Sequence, residues 1–146
     1  MNEINSGIII NLQICPKKGS PLSCLTEAEF ITRLGISGDS HYGKSETRQV
    51  LIMDSETQQL FGINPDVTRE NITTKDLTLS SLRQGDILLL GKTVKIQITG
   101  DCEPCKNMDL QKPGLSKAIK GQRGVLAKVI ESGFVKVNDK VVVETQ

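Results

Sequence analysis

Residues 87–98, ILLLGKTVKIQI, set two short apolar runs on either side of Gly91-Lys92-Thr93. In the second run Val94, Ile96 and Ile98 alternate with Lys95 and Gln97. A period of two keeps the apolar side chains on one face of a strand, so the segment predicts a hairpin arm with one wet face. The same grammar recurs along the chain. Gly7–Ile14 (GIIINLQI) is β-branched and bounded by Pro16 and the PKKGSP turn. Glu29–Ile36, the apolar run Gln49–Met53, and Gly124–Ile130 with Phe134–Val143 around Ser132-Gly133 repeat it. Thirteen glycines punctuate these runs. Many short strands joined by tight turns predict a mainly β fold, a small curved sheet or barrel with a few short peripheral helices. Two segments read as helical. Asp54–Phe61 opens on an acidic cap and stops at Gly62, and Lys112–Lys120 is ended by Gly121.

Length and charge narrow the classes. A chain of 146 residues predicts a single domain, residues 1–146, that can bury a core without disulfide or metal staples. Eighteen basic residues against 17 acidic ones, one Tyr, three Phe and no Trp argue against a nucleic-acid surface. The N-terminal MNEINSGIII has no basic leader, and no apolar stretch approaches the ~20 residues of a membrane span. The expectation is a cytoplasmic protein without a membrane role, its four cysteines kept as thiols.

The chemistry concentrates in GDCEPCKNM, residues 100–108. Cys102 and Cys105 have the spacing of a dithiol redox site. Yet the residues after them carry Gly114, Gly121, Gly124 and Gly133 and the interruption Lys112-Pro113-Gly114, where a thioredoxin-like fold needs a long helix. A zinc site needs four ligands, and one CxxC supplies two. Cys15 and Cys24 lie too far apart for a second knuckle, and His41 is the lone histidine. A single activated thiol remains, with Lys106 beside Cys105 favouring the thiolate and Pro104 restricting the loop. A thiolate suits a soft transition metal or a sulfane sulfur carried as a persulfide. The plain alternative is that both cysteines are small buried hydrophobes.

Four segments, taken in order, resemble the MOSC family, the domain named for the C-terminal part of molybdenum-cofactor sulfurases. They are Gly35-Ile-Ser-Gly-Asp-Ser-His41, Arg48-Gln-Val-Leu51, Arg69-Glu-Asn-Ile-Thr-Thr74 leading into Leu82-Arg-Gln-Gly-Asp86, and Cys102-Glu-Pro-Cys105 followed by Pro113-Gly-Leu115 and Gly121-Gln-Arg-Gly-Val125. No single piece is specific, but the ordered set spans nearly the whole chain. The resemblance implies a β-rich, barrel-like fold with a pocket for the molybdenum cofactor, a pterin-dithiolene bearing a phosphate (molybdopterin). It also implies that the functional thiol and metal ligand is Cys105, with Cys102 a resolving thiol at most.

Other matched residues take expected roles. Arg48 is a permanently charged fork suited to a phosphate or oxyanion. Asn71 offers a donor and an acceptor to a pterin edge, although it also serves well as a turn former. Arg69 and Arg123 add positive charge near the same phosphate, or remain solvated. His41, in GDSHYGK, reads either as an acid–base group or as a hydrogen-bonded turn residue. Asp39 and Asp86 read as structural turn residues. The last turn is Asn138-Asp139 where the family has Gly-Asp, and Asn tolerates the left-handed geometry.

Three functions follow from the resemblance. One is a stand-alone domain that binds the cofactor or carries sulfur for it, partnered by a cysteine desulfurase or a molybdoenzyme. Another is a molybdenum-dependent reductase of N-hydroxylated compounds, and the third is a non-catalytic adaptor on the same barrel. The sequence shows no pyridoxal-phosphate site of its own.

Overall fold

In the computed structural model, which describes residues 5–144, β structure begins where the apolar runs predict it. The chain runs through β1 (Ser6–Ile14), β2 (Ser23–Leu25), β3 (Glu27–Ile31), β4 (Gly35–Ile36) and β5 (Val50–Asp54). Helices α1 (Ser55–Phe61) and α2 (Pro65–Thr68) lead to β6 (Ile72–Lys75), then β7 (Ile87–Leu90) and β8 (Val94–Asp101). Short helices α3 (Met108–Gln111) and α4 (Leu115–Ala118) precede β9 (Val125–Glu131), β10 (Gly133–Lys136) and β11 (Lys140–Glu144).

Seven strands, in the order β11-β7-β8-β9-β5-β6-β1, close into a barrel through the β1–β11 pairing, and β2 extends the far end of β1. All barrel neighbours are antiparallel except β5 and β6. Parallel neighbours need a crossover rather than a hairpin, and α1 and α2 occupy it. A separate sheet, β10-β3-β4, lays Ala28, Phe30 and Val135 against the barrel interior.

The side-chain pattern explains the closure. Val94, Ile96 and Ile98 of β8 point into the core while Lys95 and Gln97 stay partly exposed. Strand β1 does not alternate strictly: Ile9 and Leu12 both face inward, three residues apart. The register slips between Ile9 and Asn11, so a bulge absorbs the odd residue and bends the strand. Two further slips in the β8–β9 ladder tighten the curve. The core of Ile, Leu and Val around Phe30 is fully buried, each large side chain contributing about 1.5–3 kcal/mol.

A second, smaller apolar cluster lies under the helices, where Met108, Leu115 and Ile119 pack on Met53 together with Phe61, Ile63 and Val67. It fastens the excursion between β8 and β9 to the crossover between β5 and β6. Helix α1 is capped as its sequence predicts. Asp54 accepts the Thr57 amide and Gly62 closes the end in the left-handed region at φ 65°.

Two readings change. Glu29–Ile36 is two strands broken at Arg33, which takes φ 71°. The helix expected over Lys112–Lys120 shrinks to Leu115–Ala118, because Pro113 and Gly114 hold its start out of the ladder. The turn expected at Asn138-Asp139 is present between β10 and β11, with Asn138 at the left-handed φ of 81°. Helix α3 and strand β6 arise from residues whose local pattern is weak. Among the described residues, no helix is long and apolar enough to cross a membrane.

Candidate functional site

The loop with the cysteine pair is placed by the end of a ladder. Asp101 pairs with Val125, and one step further the Cys102 amide donates to the Gly124 carbonyl at 2.9 Å. The chain leaves β8 at Cys102 and returns at Arg123, so the two residues meet at the mouth of the excursion. Gly124 makes the return possible. It takes φ +114°, and a Cβ there would lie 2.6 Å from the Ile52 carbonyl oxygen.

At this end of the barrel lies a cavity of about 490 Å³. His41, Arg48, Arg69, Asn71 and Arg123 all line it, brought together from four separated stretches of chain. Cys105 does not. It is exposed on the loop, and the thiol placed in the cavity wall is Cys102, which is buried. This corrects the expectation that Cys105 would meet the cationic residues. The ladder ends at Cys102, which directs that side chain inward, whereas Glu103 and Pro104 carry the next thiol outward. Cys15, at the end of β1, is a second thiol in the wall. Another cavity of about 350 Å³ carries the carboxylates of Asp54, Glu56, Asp76 and Asp101 and no cysteine.

Arg123 is the most telling residue of the wall. It is 8 % exposed, yet its Nε and Nη1 have no hydrogen-bond partner among the described residues. A buried guanidinium without a partner is costly, and such groups are normally paired. Arg123 lines the cavity, where an anion could complete its hydrogen bonding. Arg48 is exposed in the same wall, and Lys18 and Lys44 add further charge.

Arg69 is held differently. It terminates α2 in the left-handed region at φ 57°, ψ 36°, a conformation that costs a non-glycine residue roughly 1 kcal/mol. From there its Nη2 donates to the Cys15 sulfur at 3.3 Å and to the Ser20 carbonyl at 2.8 Å. The next residue, Glu70, is fully buried and accepts from Gln58, Thr68 and Thr73 at 2.5–2.6 Å. That knot fixes the segment from which both Arg69 and Asn71 project.

Asn71 is engaged by the protein itself. Its side-chain oxygen accepts the Leu51 amide at 3.0 Å, and its nitrogen donates to the Gln13 carbonyl at 3.2 Å and to Asp39 at 3.4 Å. The donor and acceptor expected to meet a pterin edge instead tie β1, β5 and the 39–41 turn together.

Asp39 anchors that turn. Its side chain is almost wholly buried and accepts the amides of Cys15 and His41 as well as the Asn71 nitrogen. His41 Nδ1 lies 3.2 Å from Asp39 Oδ2, while the rest of its ring is open to solvent. The hydrogen bond from Asp39 raises the His41 pKa, helped by the charges of Asp39 and Cys15 and opposed by burial and Arg48. Burial works to raise the Asp39 pKa, but the bonds from the His41 ring and the Cys15 and His41 amides outweigh it and hold it low. Burial likewise pushes the Cys15 thiol up. Hydrogen bonds from Ser20, Ser40 and Arg69, with the Arg69 charge, bring it below the ordinary thiol value.

Sequence reasoning missed Cys15 and the inward-facing Cys102. Cys15 pairs with Cys24 only as a rejected metal knuckle in the sequence, although Pro16-Lys17-Lys18 after a strand end marks it as a thiol next to cations.

The model of the MOSC domain matches residues 39–142. Among solved structures, the YuaD protein from Bacillus subtilis is 20% identical with a TM-score of 0.81, each chain covered completely. YiiM from Escherichia coli is 19% identical with a TM-score of 0.69, the match covering all of this chain and 71% of that one. YiiM from Geobacillus stearothermophilus is 18% identical with a TM-score of 0.62, covering 95% of this chain and 73% of that one. At these identities the likeness establishes the barrel fold. A comparison with curated proteins finds no match.

Proposed function

This chain belongs to the MOSC domain family, and on that premise we propose that its cavity holds the phosphate-bearing end of a ligand of the molybdenum-cofactor class. Arg123 is the buried anion grip and Arg48 the solvent-facing one. The observation that carries this reading is the pair of unpartnered donors on Arg123, 8 % exposed in the wall of a 490 Å³ cavity. An anionic group there would satisfy the guanidinium, so the residues present fit such a ligand. When bound, the cofactor supplies a redox-active metal centre. The protein's own part is to neutralise charge through Arg123 and Arg48, to keep the wall rigid through Asn71 and Asp39, and to present a soft sulfur from Cys102.

A sulfur-carrier role is the second reading, and the exposure of Cys105 favours it. An exposed thiol is reachable by a protein partner such as a cysteine desulfurase, which a thiol inside the cavity is not. In this role Cys105 accepts a sulfane sulfur as a persulfide and delivers it at the cavity mouth.

Metal analysis of protein purified from a molybdenum-replete host, run beside sulfane-sulfur labelling, tests both. Bound molybdenum that Arg123→Met and Cys102→Ser each reduce at least about tenfold supports cofactor binding, one charge-assisted bond being worth that much. Labile sulfur that Cys105→Ser removes supports carriage. Folded protein holding neither would leave the proposal without support.

A further inference from the structure

We propose that Cys15 is a nucleophilic thiolate of this cavity and takes a sulfane sulfur from a small inorganic anion, thiosulfate being the simplest of that class. The inference rests on the cavity as an anion site but assigns sulfur chemistry to a residue outside the Cys102–Cys105 loop. Two independent features of the wall meet here. One is a sulfur with a permanent cation on it: Arg69 Nη2 donates to Cys15 Sγ at 3.3 Å, from a backbone conformation that only a constraint maintains. The other is Arg123, more than nine-tenths buried and unpartnered at Nε and Nη1, lining the same cavity. A nucleophile and an anion grip in one cavity select a substrate that is negatively charged and carries a soft electrophilic centre.

The other thiols lack this combination. Among the described residues the Cys102 sulfur has only the Glu103 carbonyl, at 3.8 Å, and accepts from no guanidinium. Cys24 and Cys105 are exposed and outside the cavity. Cys15 as a thiol donates to the Lys17 carbonyl at 3.0 Å, a contact that ionisation gives up, while Arg69 and the hydroxyls around the sulfur favour the anion. Lys18 and Gly19 of the following loop line the same cavity as Cys15.

The step balances without an added oxidant or reductant. The Cys15 thiolate attacks the outer sulfur of thiosulfate and a new sulfur–sulfur bond forms. The bond inside thiosulfate breaks, and sulfite leaves with its electron pair. A singly charged thiolate and a doubly charged thiosulfate become a singly charged persulfide and a doubly charged sulfite. The sulfane sulfur changes hands without a change in the total electron count.

The full chain, fully reduced and then incubated anaerobically with thiosulfate, is assayed for released sulfite and for added sulfur by peptide mass mapping. Equimolar sulfite with one added sulfur on the Cys15 peptide is expected. Cys15→Ser abolishes both, and Cys24→Ser changes neither. Arg69→Gly, which suits the left-handed backbone and so preserves the fold, slows loading at least about tenfold through loss of the charge-assisted bond. Sulfur appearing only on the Cys102 or Cys105 peptides, or no sulfite release, overturns the inference. If inorganic phosphate still stabilises the protein in an Arg123-dependent way, the anion site stands and only the role of Cys15 falls. If phosphate has no effect either, both fall.

Discussion

The amide of Cys102 donates to the carbonyl of Gly124 at 2.9 Å, and this bond holds together the two ends of the loop that place Cys102 and the buried Arg123 in one cavity wall. The two residues end an excursion of chain that begins and finishes at the same rung of the β8–β9 ladder. Their meeting is the geometric basis of the site.

Arg123 carries charge into a wall that leaves two of its nitrogens unpartnered. Replacing it by an apolar chain of similar length removes that penalty, so Arg123→Met is expected to raise the stability of the ligand-free protein by about 1–3 kcal/mol. The same variant loses any stabilisation by inorganic phosphate. Urea unfolding with and without phosphate measures both. A variant several kcal/mol less stable than the parent would mean that the guanidinium already has its partner in the fold.

Gly124→Ala places a methyl group 2.6 Å from the Ile52 carbonyl at a φ of +114°. Both the clash and the backbone strain oppose it, so a loss of more than about 2 kcal/mol is expected. Because Gly124 also anchors Cys102, exposure of that thiol to an alkylating reagent should rise in the folded variant. Unchanged stability and unchanged thiol accessibility would show that the ladder tolerates the displacement.

Glu70 accepts three side-chain hydrogen bonds from Gln58, Thr68 and Thr73 with no exposed surface. Glu70→Gln replaces one of the two accepting oxygens by an N–H₂ group, and a loss of about 1–3 kcal/mol of stability is expected as the buried bonds rearrange. Thermal melts give the loss, and amide exchange at residues 68–73 reports whether the Arg69–Asn71 segment loosens. Full protection there would detach the knot from the site.

The pair His41–Asp39 gives a signed pH dependence. His41 titrates above its ordinary value, so its stabilisation is complete below about 6.5 and disappears as pH rises through the higher folded value. Asp39 titrates below its ordinary value, so its contribution is complete above about 3.9 and disappears as pH falls through the lower folded value. The interaction therefore contributes most between those limits. His41 is the sole histidine, which makes its ring proton an unambiguous NMR probe. In Asp39→Asn its midpoint should fall. A midpoint indifferent to Asp39→Asn would remove the hydrogen bond from the account.

Much of the barrel was legible. Alternation in β8, the run in β1 and the capping signals of α1 each report an environment set within a few residues, so local pattern suffices. The strand ITTK of β6 was not legible, because its pairing partners lie far away in sequence and its own composition is polar. The bulge between Ile9 and Asn11 was hidden for the same reason.

The cationic wall follows the same division. His41, Arg48, Arg69, Asn71 and Arg123, singled out through the family resemblance, line one cavity. Which sulfur would face them could not be read. Cys102 and Cys105 stand three residues apart in irregular chain, and the inward one is chosen by where the ladder with β9 stops. The Arg69–Cys15 contact joins positions 54 residues apart. Residue chemistry is written in the sequence alone; exposure, pairing and the loss of a partner are properties of surroundings that exist only once distant strands have closed the barrel.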